Sequence, residues 1–248
     1  MRLLVGNQEF SSRIRENLGD GKLVLFKYGP GSGGDMLLKQ FFADAPQGVY
    51  SLLISTHESD FELMGAINEM NLENPPELLS MLPLLEDRLK RIEKKDHFIS
   101  EGIMVTDLLE ISSSTEEPRA RAKPHLGMLA VLTTAATKQV LPFWLVLDSL
   151  NDLIELTGPE ELLDRLMVLK RYLKIKGGIA MIACPVDWDE LRYHETTFFD
   201  AVIEVRAEKK GEAWTRKLVI KNNKGSGNPP EEWPITMVKD IPTALSMD

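Results

Sequence analysis

The sequence predicts an α/β fold: a mostly parallel sheet with helices on both faces and an antiparallel C-terminal edge. Short apolar runs alternate with helical segments along most of the chain, which is typical of a parallel sheet buried on both faces. The last runs follow one another without helices between them, which favours antiparallel pairing. We predict that residues 1–248 form a single domain, because this length suits one α/β domain.

Seven apolar runs separated by turn residues predict the strands. In chain order they are 22–27, 49–55, 143–147, 179–183, 201–206, 217–221 and 234–238. The first four lie between helical segments, so we predict that they are neighbours in one sheet. A ligand site of such a sheet lies outside the carboxyl ends of its parallel strands.

Helical periodicity predicts five helices, at 35–42, 60–70, 75–95, 126–139 and 160–175. Pro75 and Pro76 begin the third helix, whose leucines recur at helical spacing at positions 78, 82, 85 and 89. Gly177 and Gly178 end the last helix. The polar segment 115–124 contains two prolines and is predicted to be an exposed loop.

Composition and charge limit the classes of function. The net charge of −9 argues against broad binding to nucleic acid or to an anionic membrane. Cys184 is the only cysteine, so an intramolecular disulfide is excluded and a reducing compartment is expected. The first ten residues do not predict a signal peptide, and no apolar run approaches the roughly 20 residues that span a bilayer. We therefore predict a cytoplasmic protein without membrane contact.

A Gly-rich turn follows the first predicted strand, where a phosphate-binding loop belongs. A working loop has the pattern G-x-x-x-x-G-K-[ST], in which backbone N–H groups and the lysine bind phosphate and the hydroxyl binds magnesium. Here Tyr28 stands at the first glycine, Gly34 at the lysine and Asp35 at the hydroxyl residue. The candidate loop residues are Gly29, Pro30, Gly31, Ser32, Gly33, Gly34 and Asp35.

The ordered set of motifs resembles the RecA/KaiC-like P-loop ATPase superfamily. The run LVLFKYGPGSGGDMLLKQF is similar to a KaiC-type strand followed by the loop G-P-P-G-S-G-K-T. STHES at 55–59 resembles the family's Glu-Glu pair, and LVLDSL at 145–150 resembles its Walker B strand. VIK at 219–221, followed by Gly225, resembles a late strand with basic residues. The resemblance implies a RecA-like fold in an archaeal KaiC-like paralogue with a degenerate Walker A motif.

The same resemblance implies a role for each matched residue. His57 stands where the family has the glutamate expected to be the base for the attacking water, and Glu58 matches the second glutamate. Asp148 would hold magnesium through water, and Lys221 would contact the nucleotide of a neighbouring subunit. The alternatives are a structural role for His57 and a plain strand end at Asp148.

The altered loop is expected to bind ATP poorly. Loss of the lysine's charge-assisted hydrogen bond weakens binding roughly tenfold to a hundredfold, and the Asp35 carboxylate repels phosphate. Asp35 either caps the helix or occupies the anion site at its N-terminus, and Lys39 is expected to pair with it at i,i+4. We predict that Gly34→Lys with Asp35→Thr creates Mg·ATP affinity with little rearrangement, Tyr28 being the main obstacle.

These features predict a pseudo-ATPase that acts as a protein-binding or self-assembling scaffold, with weak or no ATP binding and no hydrolysis. No cofactor is expected, weak binding of ATP and Mg²⁺ being the alternative. A second hypothesis is an active ATPase in which Lys39 or a neighbour's Lys221 replaces the missing lysine. A third is a DNA-binding recombinase paralogue that acts through seven Lys and Arg residues within 206–224. DNA is less favoured than a protein partner, because lysines commonly protect a sheet edge.

Overall fold

A computed structural model describes residues 2–6, 8–42, 45, 49–70, 76–80, 143–157, 159–187, 195–210, 213–222 and 230–238. The strands within these residues are β1 (Arg2–Val5), β2 (Gln8–Glu9), β3 (Lys22–Tyr28), β4 (Tyr50–Ser55), β5 (Glu77–Ser80), β6 (Phe143–Asp148), β7 (Gly178–Pro185), β8 (Ala201–Lys210), β9 (Ala213–Asn222) and β10 (Glu231–Val238). The helices within them are α1 (Phe10–Leu18), α2 (Gly34–Gln40), α3 (Asp60–Met70), α4 (Leu150–Thr157), α5 (Pro159–Lys176) and α6 (Glu195–Phe198).

The strands form one sheet in the order β2-β1-β10-β9-β8-β3-β7-β6-β4-β5. Neighbours from β8 to β5 pair in parallel, whereas neighbours from β2 to β8 pair antiparallel. This confirms the predicted fold class, with the N-terminal strands β1 and β2 added to the antiparallel edge. The four strands predicted to be neighbours are confirmed as the contiguous group β3-β7-β6-β4.

Helices cover both faces of the sheet because the side chains of its central strands are apolar on both faces. In β3, Leu23 and Leu25 pack with leucines of α4 and α5, whereas Val24 and Phe26 pack with apolar residues of α1, α2 and α3. Alternation along a strand sends neighbouring side chains to opposite faces, so each apolar strand contributes to both halves of the core. All four of these β3 side chains are fully buried.

The helix predicted at 75–95 is wrong at its beginning. Glu77–Ser80 is strand β5, which pairs in parallel with β4 and forms one edge of the sheet. The edge of β4 has backbone groups that need partners, and a short Leu-rich segment satisfies them as readily as it forms a helix turn. Residues 81–95 and the segments predicted at 115–124 and 126–139 lie outside the described residues.

Besides β5, five elements were not predicted: β1, β2, α1, α4 and α6. In α1, Phe10, Ile14 and Leu18 are spaced one turn apart and are buried, so the helical pattern was present in the sequence. Among the described residues, none of the helices combines the length and the apolar character needed to cross a membrane.

Candidate functional site

The candidate site lies at the carboxyl ends of the parallel strands β3, β4 and β6. The loop after β3 begins at Tyr28, the segment after β4 carries His57 and Glu58, and β6 ends at Asp148. These strands are near neighbours in the sheet, so the structure brings together residues that are far apart in the sequence. Lys39 of α2 joins the group by an ion pair with Glu58.

The loop from Gly29 to Gly33 is held by its own hydrogen bonds. The Ser32 hydroxyl donates to the Gly29 carbonyl at 2.7 Å and accepts from the Gly34 amide at 3.3 Å. Gly31 and Gly33 have φ of +69° and +81°, which side-chain-bearing residues rarely adopt. The Leu37 amide then donates to the Gly33 carbonyl at 3.1 Å and starts α2. The loop conformation therefore follows from its glycines and Ser32.

Tyr28 and Gly34 are in direct contact across this loop. A Cβ atom added at Gly34 would lie 2.3 Å from the Cβ of Tyr28 and 2.6 Å from its Cγ. Such a contact involves atoms next to both backbones, so rotation of a side chain cannot relieve it. The expectation that Gly34→Lys with Asp35→Thr needs little rearrangement is therefore wrong while Tyr28 is present.

The Tyr28 hydroxyl is hydrogen-bonded to the carboxylate of Asp148. It lies 2.9 Å from Oδ1 and 3.0 Å from Oδ2, and the Asp148 side chain is buried. Burial raises the pKa of Asp148 to about 6, against the lowering effects of His57 and of the Tyr28 hydrogen bond. Burial and the nearby Asp148 charge raise the pKa of Tyr28 as well, so its hydroxyl stays protonated and donates.

His57 and Glu58 occupy different positions relative to Asp148. His57 Nε2 lies 3.7 Å from Asp148 Oδ2, and its side chain is 46% exposed. Glu58 Oε1 accepts from Lys39 Nζ at 2.7 Å, and its backbone amide donates to the Ser55 hydroxyl at 3.0 Å. Glu58 is therefore held by a cation, whereas His57 faces the buried aspartate from the solvent side.

The predicted pairing of Lys39 with Asp35 is wrong. Lys39 is buried and bonded to Glu58, whereas Asp35 is exposed in the first turn of α2. The N-cap of α2 is Gly33, without a side-chain hydrogen bond, so Asp35 does not cap the helix. Lys39 follows the buried Leu37 and Leu38, and its stem lies inside the core rather than on the exposed face of the helix.

Lys221 lies on β9, and its ammonium forms an ion pair with the carboxylate of Glu204 on the neighbouring antiparallel strand β8. Arg206 contacts the same carboxylate. Burial tends to raise the pKa of Glu204, but the hydrogen bonds and charges of Lys221 and Arg206 outweigh it and hold that pKa below its usual range. Lys221 thus has an acidic partner within its own chain, and its predicted contact with a neighbouring subunit's nucleotide stays a prediction.

Several polar residues of the site were not predicted. Thr56 donates its hydroxyl to Asp152 and accepts from the Ser149 amide at 2.9 Å, which ties the segment after β4 to the start of α4. Arg216 of β9 donates from Nε to the Gly31 carbonyl at 3.1 Å, which connects the β8–β9 hairpin to the loop. In the sequence, Thr56 could have been noticed because it is next to His57. Nothing in the sequence indicated that Arg216 contacts the loop.

The fold of this chain is similar to that of a solved structure. A KaiC-like protein from the hyperthermophilic archaeon Pyrococcus horikoshii has a similar crystal structure, with a TM-score of 0.55 and 16% sequence identity over 87% of this chain and 85% of that chain. The fold is KaiC/RecA-like. No family model and no curated protein sequence matches the chain. At this identity the likeness establishes the KaiC/RecA-like fold, and the roles of individual residues rest on the contacts described above.

A metal role for Asp148 stays a prediction. Within the described ranges there is no group of three or more His, Cys, Asp and Glu residues arranged to hold a metal ion. Both carboxylate oxygens of Asp148 lie within hydrogen-bond distance of the Tyr28 hydroxyl, which donates to them. A cation at Asp148 would therefore share this carboxylate with the Tyr28 hydroxyl.

Replacing Asp148 by asparagine is expected to remove part of the pH dependence of stability. The folded-state pKa of about 6 lies above the ordinary value of 3.8, so wild-type stability falls as pH rises between these values and is level above them. The difference in the free energy of unfolding between wild type and Asp148→Asn should change by on the order of 2 kcal/mol between about pH 4 and about pH 7. Urea unfolding measures it, with the exposed Asp164→Asn as the control. A difference independent of pH would contradict this assignment.

Proposed function

We propose that this chain is a KaiC/RecA-like pseudo-ATPase that acts as a protein-binding or self-assembling scaffold, with weak or no ATP binding and no ATP hydrolysis. The observation that carries the proposal is the Tyr28 side chain. It packs against Gly34, where the family resemblance implies a lysine, and bonds Asp148, where it implies a magnesium ligand. One side chain of the protein thus contacts both positions on which nucleotide binding would depend.

The residues present fit a magnesium nucleotide poorly. Gly34 supplies no cation, and Tyr28 leaves no room for the stem of one. Asp35 presents an exposed carboxylate at the start of α2, where it repels phosphate instead of supplying a hydroxyl for magnesium. Ser32 uses its hydroxyl within the loop, between the Gly29 carbonyl and the Gly34 amide. The loop therefore disfavours bound phosphates, because it has a carboxylate and no cation and because Tyr28 fills the position of the lysine side chain.

Hydrolysis is opposed by the contacts of the two residues at the Glu-Glu position. A general base must reach the proton that it removes and must have a free lone pair for it. Glu58 is engaged with the Lys39 ammonium at 2.7 Å. His57 is directed toward Asp148 at 3.7 Å, and that aspartate in turn bonds Tyr28. Glu58 is thus committed to an ion pair, and His57 stands where the family resemblance implies a glutamate.

The two competing hypotheses receive less support. An ATPase with a substitute lysine would have to break the Lys39–Glu58 pair or the Lys221–Glu204 pair to free a cation. A DNA-binding hairpin would present cations to phosphates, but Lys217 lies 3.0 Å from Glu208 and 3.6 Å from Glu232. DNA binding would also fall steeply with added salt, which makes it simple to recognise.

The β8–β9 hairpin supports the scaffold part of the proposal. Trp214 is 61% exposed and lies directly across from Lys209, and the pair Ala207 and Arg216 continues the same face of the ladder. Tryptophan and arginine are among the residues enriched in protein interfaces and in their energetic hot spots. Because the whole chain carries a net charge of −9, a second copy offers carboxylates to Lys209 and Arg216, the cations on the same face as Trp214. Self-association is therefore the form of binding that we propose.

Replacing Trp214 by alanine is expected to weaken self-association about tenfold or more, because the indole is the largest exposed apolar group of the hairpin. Light scattering after size-exclusion chromatography at tens of micromolar measures the change. Ile175→Ala is the matched control, since Ile175 is also an exposed apolar residue but lies on α5. A wild type that is strictly monomeric at this concentration would contradict self-association.

A nucleotide screen by thermal unfolding tests the absence of ATP binding. A ligand at about 100 times its Kd stabilises the fold by roughly 2.7 kcal/mol, which raises the Tm of a chain of this size by several degrees. We expect Mg·ATP and Mg·ADP at about 1 mM to change the Tm by less than about 1 °C. Release of phosphate from ATP should equal that of a buffer blank. A shift of several degrees or measurable turnover would favour the ATPase hypothesis.

A further inference from the structure

We propose that Tyr28 and Gly34 are a reciprocal pair: the tyrosine fills the space that a side chain at position 34 would need, and its hydroxyl supplies the hydrogen bond to Asp148. The inference rests on the proposed function and goes beyond it, because it makes Tyr28 the residue that keeps a restored lysine from rebuilding the site. Tyr28 blocks the position of the lysine side chain even when a lysine and a hydroxyl residue are restored at positions 34 and 35.

The steric part of the inference comes from the contact at Gly34. The three atoms of Tyr28 nearest to an added Cβ are its Cβ, Cγ and Cδ2, at 2.3, 2.6 and 2.9 Å. Even alanine at position 28 would leave the closest of these atoms in place. A side chain at position 34 therefore requires glycine at position 28, and a tyrosine at position 28 requires Gly34.

The polar part of the inference comes from the direction of the Tyr28 side chain. Its ring packs against Phe26 with the centroids 5.9 Å apart, and its hydroxyl reaches both oxygens of Asp148 across the end of the sheet. Asp148 is buried, so without this donor its carboxylate would lose a hydrogen-bond partner in a region of low dielectric. The Tyr28 hydroxyl thus gives the buried Asp148 carboxylate a hydrogen-bond partner.

The remaining loop does not depend on Tyr28 for its shape. Gly31 and Gly33 have left-handed backbone angles, and the two hydrogen bonds of Ser32 join loop residues to one another. Arg216 holds the Gly31 carbonyl from the β8–β9 hairpin. None of these contacts uses the side chain of residue 28, 34 or 35, which makes the inference testable by substitution.

The test compares the triple variant Tyr28→Gly/Gly34→Lys/Asp35→Thr with the double variant Gly34→Lys/Asp35→Thr by calorimetric titration with Mg·ATP. We expect the triple variant to bind about 100-fold more tightly than either the wild type or the double variant. A further variant with Gly34→Met in place of Gly34→Lys keeps the length of the side chain without its charge, and it should lose most of this gain. Circular dichroism and thermal unfolding establish that each variant is folded.

The outcomes separate this inference from the proposed function. Equal affinity of the double and triple variants, or a folded triple variant that binds no better than the wild type, overturns the role of Tyr28 and leaves the proposed function standing. Wild-type binding in the low micromolar range overturns the proposed function itself. If the triple variant does not fold, the Tyr28→Gly/Gly34→Ala double-mutant cycle decides: the fold-change in the unfolding constant caused by Gly34→Ala must disappear when residue 28 is glycine. Persistence of that effect overturns the inference.

Discussion

Gly34→Ala is expected to destabilise the fold by about 3 kcal/mol, the upper end of the usual range for overpacking. The added methyl group would lie 2.3 Å from the Cβ of Tyr28, and both atoms are attached directly to the backbone. Relief therefore requires movement of β3 or of α2, and both are packed in the core through Phe26 and Leu37. Urea unfolding monitored by circular dichroism measures the loss.

Gly65→Ala is the matched control for this substitution. Gly65 is exposed within α3, and an added Cβ there meets nothing within 4 Å. Alanine is favoured over glycine in a helix by about 1 kcal/mol, so Gly65→Ala should stabilise the protein slightly. Two glycine-to-alanine changes are therefore expected to have opposite signs. A neutral or stabilising Gly34→Ala would show that the Tyr28–Gly34 contact is looser than described.

Asp200→Ala is expected to lower the free energy of unfolding by about 3–5 kcal/mol, because it breaks a buried ion pair by removing its carboxylate. Lys170 Nζ of α5 lies 3.0 Å from Asp200 Oδ1, and both side chains are only 5% exposed. Asp200 Oδ2 also accepts from the Leu23 amide at 3.1 Å, and the Asp200 amide donates to the Leu23 carbonyl at 2.8 Å. The aspartate thus joins α5 to the starts of β3 and β8.

The exposed Asp164 on α5 provides the comparison for this loss. Asp164→Ala removes a carboxylate of the same type from the solvent side of the helix, where substitutions usually change stability by less than about 0.5 kcal/mol. Thermal and urea unfolding of both variants should differ accordingly. Equal stabilities of Asp200→Ala and Asp164→Ala would mean that the buried pair contributes nothing to holding the strand starts.

The central strands of the fold could be predicted from the sequence because both faces of the sheet are covered. Strands such as β6 and β7 are continuous apolar runs between turn residues, a pattern that few other structures produce. The strand β5 could not be distinguished in this way, since four residues with two leucines fit a helix turn equally well. Its state depends on the free edge of β4, which is a tertiary property.

The place of the site in the fold could be predicted from the sequence more readily than the contacts between its side chains. His57, Glu58 and Asp148 follow apolar strands, and parallel strands bring their carboxyl ends together, so their proximity was predictable. The partner of Lys39 was not predictable, because the rotation of α2 about its own axis decides whether Lys39 pairs with Asp35 or with Glu58. The contact of Tyr28 with Asp148 likewise depends on a side-chain direction that motif comparison does not contain.

The most direct measurement is calorimetric titration of the wild-type chain with Mg·ATP. The central claim is that the chain's own Tyr28 occupies the place on which nucleotide binding depends. The account predicts no saturable heat up to about 1 mM nucleotide, which corresponds to a binding free energy weaker than roughly −4 kcal/mol. Saturable one-to-one binding with a Kd in the low micromolar range would contradict it.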